Sequence, residues 1–152
     1  MPTQEDFDKS VNMSLDKTGL EMDEVTFGLT TSPEIVTEWG SSYSGKFTTA
    51  NETTGVITIG RAGVIRVRLS GSFSASAGGT YESNFYLNGV STNVGFKRDI
   101  ANLNDFGSFA GEFTSNLVPV TIGDEIDLRM FVDSGTPSVT FHEMSVATEW
   151  VD

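Results

Sequence analysis

Three carboxylates in the last quarter of the chain are spaced closely enough to do chemistry together. Asp124, Glu125 and Asp127 could supply the pair of acids that glycoside hydrolysis requires. Asp124 follows Gly123, however, where a turn is expected, and Glu125 and Asp127 fall in the outward phase of an alternating strand. Charged side chains are ordinary on the solvated side of a strand. We therefore interpret all three as surface charges and predict no catalytic carboxylate among them.

The only histidine of the chain, His142, would have to carry any histidine-dependent catalysis. It lies in the alternating run Thr140–Met144, and no sharp turn nearby presents a nucleophile as a catalytic triad requires. A histidine in such a strand is better explained by a sheet face or a subunit interface. The sequence therefore predicts a protein that is not an enzyme.

Sites for a metal or a phosphate are offered only by loop-like stretches. Oxygen ligands for calcium occur in two of them, Asp133 with Gly135, and Asp99 with Asn102, Asn104 and Asp105. The second stretch lacks the glycine and the closing glutamate of an EF-hand loop, so polar loops are favoured for both. The glycines of 60–63 and 78–79 lack the lysine and helix of a phosphate-binding loop. No cofactor and no metal are predicted.

Composition limits the class of protein further. A length of 152 residues suits one domain, and the net charge of −12 argues against a nucleic-acid partner, which needs a basic face. No apolar run approaches the roughly 18 residues of a membrane span. The acidic start of the chain is unlike a signal peptide. The lack of such a run predicts no membrane partner. Because cysteine is also absent, we expect synthesis in a cytoplasm.

The chain from Ser41 onward is dominated by short alternating apolar runs that are separated by turn residues. Ile65, Val67 and Leu69 share one face of a strand, and Asn88-Gly89 suits a type I′ hairpin turn because both residues accept positive φ. About eight strands with a turn every 8–12 residues predict an all-β fold, an antiparallel two-sheet sandwich or jelly roll.

Residues 1–40 differ from the remainder because they are more acidic. They hold nine acids and two lysines, a net charge of −7, and we interpret them as an N-terminal arm attached to a domain of residues 41–152. Apolar residues spaced near four allow a short helix over about Gln4–Lys17, and a flexible tail is an equal alternative. Short strands are expected at Val25–Leu29 and Ile35–Trp39.

Large apolar side chains in both phases of one strand indicate that both faces of a sheet are covered. Tyr86 lies opposite Phe85 and Leu87, and Phe131 falls in the phase of Asp127. In a monomer the N-terminal arm would have to provide the outer cover, and in an oligomer a neighbouring copy of the chain would provide it, which we favour. The candidates for an oligomer interface are Tyr86, Phe131, His142 and Trp150.

Three segments, in this order, resemble the jelly-roll domains of the tumour necrosis factor and complement q-subcomponent family. They are Gly55–Val67, the hairpin Phe85–Gly89 with its Leu-Asn-Gly, and Leu117–Leu128 with its Gly-Asp-Glu-Ile-Asp-Leu. Two departures from the pattern stand out. Val64-Ile65 replaces the aromatic residue expected after Gly63, and the first 40 residues have no counterpart in the minimal domain.

The resemblance implies a ten-stranded jelly roll that assembles as a compact homotrimer. Domains of this kind are common in virion proteins of tailed bacteriophages. We therefore expect a non-enzymatic capsid decoration (cement) protein on the virion surface, whose partners are its own copies and the major capsid protein. The candidates for capsid contact are Phe7, Val11, Leu15 and Trp39.

The alternative implied by the same resemblance is a receptor-binding or glycan-binding tip of a phage tail fibre. It would use loops at Ser74–Thr80 and Asn93–Phe106. No collagen-like or coiled-coil stalk precedes the domain, which favours the capsid surface.

Overall fold

The computed structural model describes residues 17–101, 106–109 and 117–151. The predicted helix at the start of the chain, with Phe7, Val11 and Leu15, lies outside the described residues, as do Asn102, Asn104 and Asp105. Among the described residues, no helix has the length and apolar character needed to span a bilayer. Twelve strands are described: β1 Lys17–Gly28, β2 Glu34–Ile35, β3 Ser41–Tyr43, β4 Thr48–Asn51, β5 Val56–Ile59, β6 Gly63–Ala75, β7 Gly79–Leu87, β8 Val90–Ile100, β9 Phe106–Phe109, β10 Leu117–Val120, β11 Glu125–Val132 and β12 Ser138–Trp150.

The strands form two antiparallel sheets packed face to face. The first, called sheet A here, has the order β10-β6-β12-β1-β3, and β9 also pairs with β6. The second, sheet B, has the order β4-β5-β11-β7-β8, and β2 also pairs with β11. The prediction of an all-β, antiparallel two-sheet sandwich is confirmed.

Alternation of apolar and polar residues places the core between the two sheets. In β6, Ile65, Val67, Leu69 and Phe73 are buried, whereas every second residue, such as Arg66, Arg68 and Ser70, faces outward. The Phe73 ring lies 5.7 Å from the Tyr81 ring and 5.3 Å from the Phe141 ring, measured between centroids. These contacts join β6 and β12 of sheet A to β7 of sheet B, so an aromatic cluster fixes how the sheets stack.

The domain boundary predicted at residue 40 is wrong for residues 17–40. Strand β1 lies between β12 and β3 and pairs with β12 from Lys17↔Glu149 to Gly28↔Ser138. Its inward residues Leu20 and Met22 belong to the core, at 1% and 4% exposure. Glu21 and Asp23 alternate with these apolar residues and are exposed, so residues 17–28 are a charged strand of the sandwich.

The predicted turns agree with the structure more closely than the predicted loops do. Asn88 and Gly89 have φ values of +50° and +81°, so both central residues are left-handed as a type I′ turn requires. The two loops proposed for glycan binding are short, because β6 continues to Ala75, β7 starts at Gly79 and β8 extends to Ile100. The prediction of a long loop over Asn93–Phe106 is therefore wrong for residues 93–100, which are strand.

Candidate interaction surfaces

The outward face of sheet A carries small side chains in its middle. Strands β1, β12 and β6 contribute a central stripe that consists of Gly19, Ser70, Ser145 and Ala147. Tyr43 of the edge strand β3 lies against Gly19, where an added Cβ would contact the tyrosine ring. Burial of the Tyr43 hydroxyl, together with the charge of Glu21, raises the pKa of this tyrosine.

One end of this face is acidic. An open groove of about 590 Å³ is lined by the carboxylates of Glu21, Asp23 and Glu143, with Met22 and Met144 among its apolar residues. Within the described ranges, no group of three or more histidine, cysteine, aspartate or glutamate side chains is arranged to hold a metal ion. The groove is therefore a negatively charged surface feature.

The opposite end of the face is basic and apolar. Lys17, Glu149, Arg66 and Leu117 lie side by side across four strands, in one transverse row. One Glu149 oxygen lies 3.2 Å from Nη1 of Arg66 and 2.9 Å from Nη2 of Arg68. Glu149 of β12 thus forms cross-strand ion pairs with both arginines of β6.

A buried ion pair lies on the outward face of sheet B. Asp127 is only 7% exposed, and its Oδ1 accepts a hydrogen bond of 2.8 Å from Nε of Arg129. The guanidinium also lies 4.5 Å from the centre of the Tyr86 ring. The hydrogen bond to Asp127 raises the pKa of Arg129. The prediction that Asp127 is a solvated charge is wrong, because Arg129 binds it and it lies between Val56 and Tyr86 of the two adjacent strands.

The other two carboxylates considered for catalysis have structural surroundings. Glu125 is exposed, as predicted. Asp124 accepts hydrogen bonds from Nδ2 of Asn88 at 2.9 Å and from the Thr121 amide at 2.8 Å. These bonds, with that from Asn88 the largest cause, lower the pKa of Asp124. The side chain thus ties the β10–β11 turn to the Asn88-Gly89 turn.

Asp99 and Asp133, the described carboxylates among the calcium candidates, accept hydrogen bonds from the protein itself. Asp133 Oδ1 accepts a 3.0 Å hydrogen bond from the Thr80 amide, and Asp99 Oδ1 accepts one of 2.7 Å from the Thr80 hydroxyl. Both carboxylates therefore hold the start of β7 in place.

The four interface candidates lie in three different places. Tyr86 and Phe131 are half-buried on the outward face of sheet B. His142 lies at a bulge of β12 on sheet A, with Nδ1 3.1 Å from the Glu24 carboxylate and Nε2 3.2 Å from the Ser74 hydroxyl. Trp150 packs against the edge of the core and carries the Arg61 guanidinium 3.8 Å from its ring centre. Their role in an interface stays a prediction.

The capsid contact predicted for Trp39 is wrong. Its side chain is 6% exposed, and the indole Nε1 donates a 2.8 Å hydrogen bond to the Val36 carbonyl. Trp39 is a core residue because the segment after β2 packs across the end of the sandwich. Sequence reasoning also missed the basic row, whose members are distant in the sequence and meet only through strand register.

Comparison with known proteins supports the fold. No protein-family model and no curated protein matches the chain. Among solved structures, the globular domain of the zebrafish complement 1qA protein superposes with a TM-score of 0.54 at 11% identity, covering 90% of this chain and 98% of that one. Vertex protein P5 of PRD1 superposes with a TM-score of 0.51 at 9% identity, covering 91% and 98%. At these identities the likeness is one of fold, and the chain is a jelly-roll sandwich.

Proposed function

We propose that the protein is a non-enzymatic structural protein of a virion, a homotrimer that decorates and stabilises the capsid of a phage. The observation that carries this proposal is the fold match to PRD1 vertex protein P5 over nearly the whole of both chains. A jelly roll of this type also occurs in the complement 1qA globular domain, so the fold suits binding and assembly. Fold alone does not define function, and the surfaces of this chain supply the second line of support.

The outward face of sheet A is the surface best suited to contact between copies. The short side chains of Ser70, Ser145 and Ala147 in its central stripe leave room for a neighbour to approach. Tyr43 of the edge strand β3, at 41% exposure, would be shielded from solvent if a neighbour covered this part of the face. Closed rings of identical chains are the common outcome of such contacts.

Contact with the shell is assigned to residues 1–16, which precede β1 and contain Phe7, Val11 and Leu15. A trimer would present three such segments at once. Weak individual contacts then combine through effective concentration, which raises avidity by about 10²–10⁴ without any new kind of contact. Binding to the assembled shell but not to its free subunits stabilises the shell by mass action.

Self-association is tested by sedimentation of the purified protein. The proposal expects a species of three times the chain mass of 16.4 kDa. Ser70→Arg places a long charged side chain on the central stripe and is expected to give monomers. Thr58→Arg, on an exposed strand position of sheet B, is the matched control and is expected to leave the trimer intact. A wild-type monomer at all concentrations would refute the trimer.

The place of the protein in the virion is tested by cosedimentation with separated filled heads and tails. The proposal expects the protein in the head fraction and more resistant heads in its presence. Recovery with tails would support the fibre-tip alternative. Turnover of a capsular polysaccharide would contradict the non-enzymatic assignment.

A further inference from the structure

The outward face of sheet A has opposite charges at its two ends. Glu21, Asp23 and Glu143 line the groove at one end, whereas Lys17, Arg66 and Arg68 lie at the other end, where both arginines bind the Glu149 carboxylate. We call this second region, with its apolar neighbours, the basic end. Because the whole chain carries a net charge of −12, a locally cationic surface is unusual here and has to be explained.

The basic end is also apolar. Leu117, at 52% exposure, completes the transverse row, and Val151 is 40% exposed just beyond it. Pro119 of β10 is exposed next to them and lies opposite Val64 of β6. A surface that combines exposed aliphatic side chains with guanidinium groups is suited to a segment that is both apolar and acidic.

Residues 1–16 have that chemistry. They contain Glu5, Asp6, Asp8 and Asp16 with one lysine, a net charge of −3, and the apolar residues Phe7, Val11, Met13 and Leu15. The acidic end of the face would repel this segment, whereas the basic end would attract it. Charge complementarity thus selects one end of the face.

The point of attachment makes contact within one chain easy. Residue 16 is joined to Lys17, the first member of the transverse row, and Leu117 is its fourth member. Three strand spacings of about 4.8 Å place Leu117 about 14 Å away. Sixteen residues can span up to about 50 Å when extended. A short tether of this kind gives a millimolar effective concentration, so even a weak contact would be populated.

We propose that in the free protein residues 1–16 bind across the basic end of their own sheet A. The acids of the segment face Arg66 and Arg68, and its apolar residues cover Leu117 and Val151. The proposal goes beyond the assignment of the segment to the capsid and does not depend on it. The contact covers exposed apolar surface until the shell, which offers another site, is present.

The absence of cysteine makes a direct test possible in the full chain. Ser10→Cys carries a nitroxide spin label, and amide signals are compared in the oxidised and reduced states of the ¹⁵N-labelled protein. The expected result is loss of signal intensity at Val64, Arg66, Leu117 and Val151, with recovery at about 1 M salt, where the Debye length is about 3 Å. Loss confined to Lys17 and its neighbours, or centred on Glu21 and Glu143, would overturn the proposal.

A matched pair of variants tests the role of charge. Arg66→Gln with Arg68→Gln is expected to weaken the broadening, whereas Lys97→Gln with Arg98→Gln, two exposed positions of β8 on sheet B, should leave it unchanged. Equal broadening in both variants would refute the charge-based contact.

A co-refolded mixture of spin-labelled ¹⁴N chains and unlabelled ¹⁵N chains identifies which chain supplies the bound segment. Broadening in that mixture would show that the segment comes from a neighbouring copy, contrary to the proposal.

Discussion

Replacement of Arg129 by methionine tests whether the outward face of sheet B is satisfied within one chain. The guanidinium holds Asp127 at 2.8 Å and 3.3 Å and lies over the Tyr86 ring. Methionine keeps an unbranched apolar stem but is shorter and has neither a charge nor a donor. The substitution therefore leaves a carboxylate that is 7% exposed without its cation.

The size of the effect follows from the burial of the two partners. Breaking a fully buried pair costs about 3–5 kcal/mol, and breaking an exposed pair costs about 0–1 kcal/mol. The Arg129 side chain is 24% exposed, so we expect about 2 kcal/mol for the ion pair. Loss of the contact with Tyr86 adds about 0.5–1 kcal/mol. The total loss of unfolding free energy is about 2.5–3 kcal/mol.

Urea unfolding, followed by tryptophan fluorescence, measures this loss. The double variant Asp127→Asn with Arg129→Met removes the unpaired charge as well, so it should be more stable than Arg129→Met alone and give a coupling energy of about 1 kcal/mol or more. Arg98→Met, an exposed position of β8, is the control and should change stability by about 0.5 kcal/mol at most. A loss below about 0.5 kcal/mol for Arg129→Met would refute the intramolecular ion pair. Additive effects of the Asp127 and Arg129 substitutions would refute it as well.

Three further substitutions test other parts of the structure. Gly95→Ala would place a Cβ against the backbone of β7, so we expect a loss of about 1–3 kcal/mol or more in urea unfolding, whereas Gly28→Ala, with open space around it, should change stability by less than about 1 kcal/mol. Asn88→Gly keeps the turn but removes the main cause of the lowered pKa of Asp124. The stabilisation from that carboxylate is present above its ordinary pKa of 3.8 and is lost as the pH falls through the lower folded value. The difference in Tm between wild type and this variant should therefore narrow from about pH 7 to about pH 2, and a constant difference would contradict the assignment. Trp39→Ala should cost about 3–5 kcal/mol as a core truncation; a cost near zero together with lost binding to heads would restore Trp39 as a capsid contact.

Alternation was sufficient to predict strands such as β6 and β11, because a period of two places every second side chain in the core. The type I′ turn at Asn88-Gly89 was predicted correctly from the local sequence, because few residue pairs allow a positive φ at both central positions. The arm boundary failed because charge density was taken as evidence for a solvated segment. In β1 the acids Glu21 and Asp23 are exposed, whereas Leu20 and Met22, which alternate with them, are buried.

The sequence by itself determined the all-β class, the main turns and the inward phase of strands such as β6 and β11, because these depend on neighbours along the chain. Only the tertiary structure decided which charges meet. Arg66 reaches Glu149 across 83 positions of the chain, and Lys17 shares a row with Leu117 through three strand registers. Asp127 is buried because strands from distant parts of the sequence cover it. Pairing between distant strands depends on the packing of the whole core, and no local pattern specifies it.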